Sequence, residues 1–244
     1  IDDILAYKEK AKKELENYIH NEENIIKIKD ELNRVVENLD RIAIEINISR
    51  KKTAQNFEKK LINVLSELNM QKVSFSISIE QQRDSYGKLR LTPSGSDKVE
   101  FMISTNKGEP LKPLSKIVSG GEVSRIMLAF KTILANLDSI PILIFDEIDT
   151  GISGITAQVV AEKLRHISQN HQIICITHLP QIAAMADTHF LIDKNIINNK
   201  TKTIVEKLDK DKRMFELGRL LDGNITDITL KHAEEMLNIA DNKY

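Results

Sequence analysis

Ile-Leu-Ile-Phe-Asp-Glu-Ile-Asp-Thr-Gly (Ile142–Gly151) is the stretch whose reading decides the fold. Four apolar residues follow Pro141 and run into two acids. A strand that is apolar at every position suits the centre of a parallel sheet covered on both faces. Upstream stands Ile-Val-Ser-Gly-Gly-Glu-Val-Ser-Arg (Ile117–Arg125), and downstream Ile-Ile-Cys-Ile-Thr-His (Ile173–His178). After Gly121, the residues Val123, Ile126, Met127, Phe130, Ile133, Leu134 and Leu137 keep helical spacing. Residues 154–168 read as a helix, Gln172–Ile176 as a second apolar strand, Leu179–Ala186 as a short helix and Phe190–Ile192 as a third strand. Strand alternating with helix predicts an α/β fold with a parallel-sheet core.

Further out, Asn195 to Lys202 reads as a polar turn and Thr203–Val205 as a strand at the sheet edge. Two helices close the chain, Arg213–Leu221 and Asp227–Ala240, with Thr226 placed to cap the second. On the other side, Val73, Phe75, Ile77 and Ile79 alternate with serines, the period-two pattern of a half-buried strand. Tyr86 to Asp97 reads as a loop, and Val99, Phe101 and Ile103 alternate again. Residues 1–70 contain neither Gly nor Pro. Ile4, Ala11, Tyr18, Ile25, Leu32, Leu39 and Ile46 recur at steps of seven, a repeat that keeps one stripe facing a partner helix. Lys8, Glu22 and Lys29 interrupt the second seam, so an ordinary long amphipathic helix is the alternative. The expected organisation is a coiled-coil arm and helical root over residues 1–70, then a globular part over residues 71–244.

At 244 residues, 41% apolar and 29% charged, the chain is long enough for one sizeable core plus an appendage. A net charge of −1 advertises no global nucleic-acid field, so any such contact must be a local patch. Arg50, Lys51, Lys52, Lys59 and Lys60 are the candidates, against the alternative of a solvated helix face. One cysteine, Cys175, allows no internal disulfide and suggests a reduced, cytoplasmic setting. No apolar run approaches the ~20 residues of a membrane span. The chain opens on Ile1 with charged helical sequence, as expected of a piece of a longer protein.

The chemistry lies where loops meet these elements. Ser119-Gly120-Gly121-Glu122 enters a helix, whose first N–H groups are unpaired and whose dipole is positive there. Two glycines let a phosphate approach the backbone. A Gly-Gly turn before a helix is commonplace, so the tetrapeptide alone decides little. Asp146 and Glu147 follow a strand at the edge where α/β sheets bind ligands. Asp146 suits Mg²⁺, and Glu147 an attacking water near a terminal phosphate. The pair reads equally well as a helix start or a salt bridge. His178 ends the next strand and projects from the same sheet edge, within reach of a γ-phosphate, although a lone His there is more often structural. Asp149 lies between, where it can couple one site to a partner subunit.

In order and spacing these pieces resemble the ATP-binding-cassette ATPases: a signature loop at Ser119–Glu122, Walker B at Ile142–Asp146 with Glu147 as catalytic carboxylate, a D-loop at Asp149 and a switch histidine at His178. An arm running straight into the signature lobe is similar to the SMC-like branch. Gly-Glu-Pro-Leu-Lys-Pro-Leu before the signature, Asp-Glu-Ile-Asp-Thr-Gly-Ile-Ser-Gly, Thr-His-Leu-Pro-Gln-Ile-Ala-Ala-Met-Ala-Asp and the tail around Leu217–Leu221 resemble the RecN family of bacterial DNA repair proteins. The resemblance implies the C-terminal lobe of an SMC-type head that binds ATP and Mg²⁺, acts on DNA breaks in the cytoplasm at the nucleoid, and dimerises through ATP held between two heads. No Gly-x-x-x-x-Gly-Lys-Ser/Thr occurs, so the phosphate-binding lobe, which in this family precedes the coiled coil, is absent. The chain alone is therefore expected to bind ATP weakly or not at all. The alternatives are a non-hydrolysing coiled-coil dimerisation module and a transporter's nucleotide-binding subunit, the latter disfavoured by the arm.

Overall fold

The computed structural model describes residues 2–117, 119–134, 140–152, 154–197 and 200–243. Val118, Leu137 and Ser153, all part of the stretches quoted above, lie outside them. The amino-terminal sequence, without Gly or Pro, forms one continuous helix, α1 (Asp2–Glu67), of 66 residues. At ~1.5 Å per residue it is roughly 100 Å long. The heptad residues Ile4, Tyr18, Ile25, Leu32 and Leu39 stand exposed along it. After Glu67 the chain turns at Asn69, whose positive φ of 61° is one that Asn tolerates.

The contacts divide the chain into two units, residues 1–56 with 77–100, and residues 57–76 with 101–244. The chain passes between them within α1, β1 (Ser74–Gln81) and β2 (Asp97–Ser104). In the first unit, α1 presents Ala43, Asn47, Arg50 and Ala54 at helical spacing, and Ala43, Asn47 and Ala54 are buried. The Asp97 side chain is fully buried. Asn47 Nδ2 donates to Asp97 Oδ1 at 2.7 Å, and Arg50 Nη1 to Oδ2 at 3.0 Å. Arg50 Nη2 also donates to the Ser94 carbonyl at 2.7 Å. A Cβ on Gly95, which has φ of 98°, would stand 3.2 Å from that guanidinium. Arg50, a candidate phosphate contact in the sequence, is therefore an internal fastener, while Lys51, Lys52, Lys59 and Lys60 remain exposed.

The second unit holds the larger core. Leu61, Leu65 and Leu68 are completely buried. Phe57, Phe75, Phe101 and Phe130 form a ring cluster with centroids 5.3 to 5.9 Å apart. Phe130 belongs to α2 (Gly120–Leu134), which buries Arg125, Ile126, Leu128 and Ala129. β2 pairs antiparallel with the short β3 (Lys112–Pro113) in a sheet of order β1-β2-β3. β4 (Ile142–Phe145) and β5 (Gln172–Cys175) run parallel, in register from Ile142↔Gln172 to Phe145↔Cys175, joined through α3 (Gly154–Ile167). This parallel pair and its crossover helix carry the α/β character the sequence predicts. Past α4 (Pro180–Ala184), β6 (Phe190–Ile197) pairs antiparallel with β7 (Lys200–Lys207) as a separate two-stranded sheet. The sequence reading of a third strand in the main sheet is thereby corrected. Pairing continues outward to Ile197↔Lys200, so residues 195–197 and 200–202 of the expected turn lie in strands, while Asn198 and Asn199 lie outside the described residues.

Two terminal helices pack with α4 around Ala183, Ala184, Leu217, Ala233 and Leu237. They are α5 (Lys210–Asp222) and α6 (Asp227–Lys243). Asp209 caps α5 by accepting from the Lys212 N–H at 2.9 Å, and Gly223 ends it with φ of 74°. Thr226 and Thr229 cap α6 reciprocally: the Thr229 N–H donates to Thr226 Oγ1 at 3.2 Å, and the Thr226 N–H to Thr229 Oγ1 at 2.8 Å.

Among the described residues, the β4–β5 pair is covered on one face only. Leu143 and Phe145 are buried, whereas Ile142, Ile144, Ile174 and Ile176 are 47%, 68%, 47% and 52% exposed. The apolar runs imply cover on both faces, and the second cover lies in none of the described residues. Ile126→Ala empties a fully buried position and should cost about 2–5 kcal/mol. Ile144→Ala, on the bare face, should cost about 1 kcal/mol or less. Denaturant midpoints of the two variants measure the difference.

Candidate functional site

Three chain segments meet beyond the carboxyl ends of β4 and β5. They are the entrance to α2, the turn at residues 146–151, and residues 176–179. The parallel register sets the level at which they meet, because the Ile176 N–H donates to the Phe145 carbonyl at 3.0 Å. Asp146 and Ile176 thus leave their strands side by side.

At the entrance to α2, the Ser119 carbonyl accepts from the Val123 N–H at 3.0 Å, so Ser119 occupies the capping position. Ser119 and Gly120 are exposed, Glu122 is half-buried and Gly121 is buried. The glycines have a packing reason beyond any ligand. A Cβ on Gly120 would overlap Glu147 Oε2, and a Cβ on Gly121 would stand 3.0 Å from the Glu147 carbonyl and 3.1 Å from Thr150 Cβ. The Glu147 carboxylate consequently rests against the positive end of α2.

Glu147 itself has φ of 55°, a conformation that costs a non-glycine residue about 1–3 kcal/mol. A turn enforces it: the Thr150 N–H donates to the Glu147 carbonyl at 3.1 Å, and Ile148 is fully buried behind it. Asp146 Oδ1 accepts from the Glu147 N–H at 2.9 Å, and the Asp146 carbonyl accepts from Ser124 Oγ at 2.7 Å. Strain of this sort persists where surrounding structure over-determines it, and it concentrates at functional sites.

Asp149 points inward. Its side chain is 4% exposed, against 72% for His178. Oδ2 accepts from Thr177 Oγ1 at 2.6 Å and from the His178 N–H at 2.8 Å, and His178 Nδ1 lies 3.0 Å away. Thr177 Oγ1 in turn accepts from the Leu179 N–H at 3.0 Å, at the start of α4. On the other side of the turn, Arg125 Nη1 donates to the Thr150 carbonyl at 2.8 Å and the Ile148 carbonyl at 3.3 Å. Burial lowers the pKa of this guanidinium, an effect Glu122 opposes.

The structure thus brings together all the residues singled out in the sequence: Ser119, Gly120, Gly121, Glu122, Asp146, Glu147, Asp149 and His178. It adds three the sequence reading passed over. Arg125 carried a signal, since it is a charge on the apolar face of α2. Ser124 and Thr177 carried almost none, being small polar residues beside more conspicuous neighbours.

Among the described residues no group of three or more His, Cys, Asp or Glu side chains can hold a metal by itself. Asp146, exposed and with Oδ1 engaged by one N–H, offers a single carboxylate. That donor set fits Mg²⁺, which takes one or two carboxylates and completes its shell with phosphate oxygens and water. It does not fit a metal held by this chain alone.

Two predictions follow from this packing. Gly121→Ala meets rigid backbone and should destabilise the chain by about 1–3 kcal/mol. Gly120→Ala, which needs only the Glu147 carboxylate to swing aside, should leave denaturant stability nearly unchanged. The Cys175 thiol, on β5, is pushed up to about 12 by burial first and by Asp149 and Asp146 second. It should therefore resist iodoacetamide at about pH 8 in the native chain and react promptly once unfolded; the two alkylation rates, read by mass, are the check.

No family model matches the chain. Among curated proteins, the DNA repair protein RecN of Halalkalibacterium halodurans is 39% identical over 241 residues, covering 98% of this chain and 42% of its own length. That of Bacillus subtilis is 39% identical over 251 residues, covering 99% of this chain and 44% of its own length. That of Treponema pallidum is 37% identical over 235 residues, 96% of this chain and 41% of its own length. Among solved structures, the Smc head domain with a coiled coil and joint from Pyrococcus yayanosii aligns with 86% of this chain and 34% of its own, at 20% identity and a TM-score of 0.49. By sequence, the chain belongs with the DNA repair proteins RecN, of whose length it spans about two fifths.

Proposed function

We propose that the chain is the C-terminal lobe of an SMC-like ATPase head, in a RecN-type protein that acts in DNA double-strand-break repair and recombination. The observation that carries this reading is the convergence at one sheet edge. Glu147, against Gly120 at the entrance to α2, and His178 lie two and three residues past the ends of the adjacent parallel strands β4 and β5.

In this reading Glu147 orients and deprotonates the water that attacks the terminal phosphate of ATP. His178 contacts that phosphate and the water from the neighbouring strand end. Asp146 would hold Mg²⁺, which when bound draws charge from the phosphates. Ser119 and the N–H groups of Gly120 and Gly121 face a nucleotide carried by a second copy, so that ATP is sandwiched between two heads. The phosphate loop comes from the part of the protein beyond this chain. Support for such a covering lobe comes from Ile142, Ile144, Ile174 and Ile176, an apolar strand face that the described residues leave exposed. The exposed heptad stripe of α1 supports a coiled-coil partner by the same logic. DNA as the object of the work rests on the relatives, which are DNA repair proteins.

ATP hydrolysis by this chain alone, and by a protein of full RecN length with and without Glu147→Gln, tests the reading. The chain alone should be inactive, and the substitution should lower turnover of the full-length protein by about 10²–10⁴-fold. Robust hydrolysis by the chain alone would overturn the split site. A folded full-length protein that binds nucleotide without hydrolysing it would instead make the chain a structural dimerisation module.

A further inference from the structure

Asp149 is the most buried acid at the site, and its carboxylate is engaged by the chain itself. Two donors converge on one oxygen, the Thr177 hydroxyl and the His178 N–H, and the His178 ring brings Nδ1 to within 3.0 Å of the same oxygen. A bare lone pair on Nδ1 would be repelled by a carboxylate oxygen at that distance, which favours the proton on Nδ1. The turn bearing Asp149 is itself held from behind, since Arg125 donates to the carbonyls on both sides of it, Ile148 and Thr150. The acceptor is therefore held in place independently of the ring.

We propose that Asp149 is a positioning residue that holds His178 as the Nδ1–H tautomer and turns Nε2 outward. This rests on the reading of His178 as the residue that meets phosphate and water. It assigns the outward nitrogen a definite chemistry. In the neutral ring, Nε2 is an acceptor and takes a hydrogen bond from the attacking water. In a doubly protonated ring Nε2 would instead donate to a phosphate oxygen. One carboxylate thus decides both where the ring lies and which way it can hydrogen-bond.

The test is nitrogen NMR on the chain labelled with ¹⁵N-histidine, with the His178 signals identified by their absence in His178→Gln. In the native chain the neutral ring should show Nδ1 protonated and Nε2 bare. A ring protonated mainly at Nε2 overturns the inference without any variant. In Asp149→Ala the Nδ1–H share should fall to that of a histidine in an unstructured peptide; an unchanged share in a folded variant also overturns it. Asp149→Asn, whose amide oxygen can occupy the same place, should restore much of the Nδ1–H share and serves as the folded comparison. In full-length protein, Asp149→Ala should lower kcat at least tenfold with KM changed less than about threefold, the pattern of an interaction made in the transition state. If native full-length protein hydrolyses no ATP, the proposed function fails while the tautomer result stands. If the tautomer is wrong, this inference fails whatever the ATPase does.

Discussion

A carboxylate withdrawn from water is costly unless donors meet it, and the site is arranged around meeting that of Asp149. Its partners come from the end of the neighbouring strand, so satisfying the charge pins the exit of β5 to the turn after β4. The parallel register delivers both strand ends to the same level, and the carboxylate locks them there. Arg125 extends the arrangement into α2 by binding the carbonyls on either side of Asp149. The helix that presents Ser119 and the glycines is thereby tied, through main-chain oxygens, to the segment that presents Glu147 and His178. Displacing the turn would break polar contacts with both other segments, and displacing either of those would break its contacts with the turn.

Elements were legible in the sequence wherever one period dominated. Ile142–Phe145 and the run ending at Cys175 could be read as strands because no competing pattern existed, and α3 and α6 begin where predicted. The places of Asp146, Glu147 and His178 were legible for the same reason, as each sits one or two positions past an apolar run. Less legible was anything set by a partner far away in the chain. Arg50 reads as a solvated cation among lysines, and only the folding of Asp97 onto it makes it internal. Asp149 reads as one more acid in an acidic turn, and its burial depends on Thr177, twenty-eight positions on. The hairpin of β6 and β7 was misread because period-two alternation says that a strand exists, not which neighbour it pairs with.

The Gly120-Gly121 pair shows how one motif can answer to two demands. Read from sequence, the glycines clear a path for a phosphate. In the structure they clear a path for Glu147, one for its carboxylate and one for its carbonyl. The two demands are compatible, because an oxygen of the carboxylate and an oxygen of a phosphate ask the same of a helix entrance: exposed N–H groups and no Cβ. They differ in rigidity. Gly121 abuts backbone, whereas Gly120 abuts only the tip of a side chain that can turn away.

The left-handed backbone at Glu147 has a consequence for selection. Glycine or asparagine would occupy that φ with less strain, so random variation screened for thermal tolerance alone would drift toward them at this position. The glutamate endures only if something other than stability is being selected. A laboratory lineage evolved for heat resistance without a demand for turnover would be expected to discard this carboxylate early, and the time to its loss would gauge how much fitness the acid had been supplying.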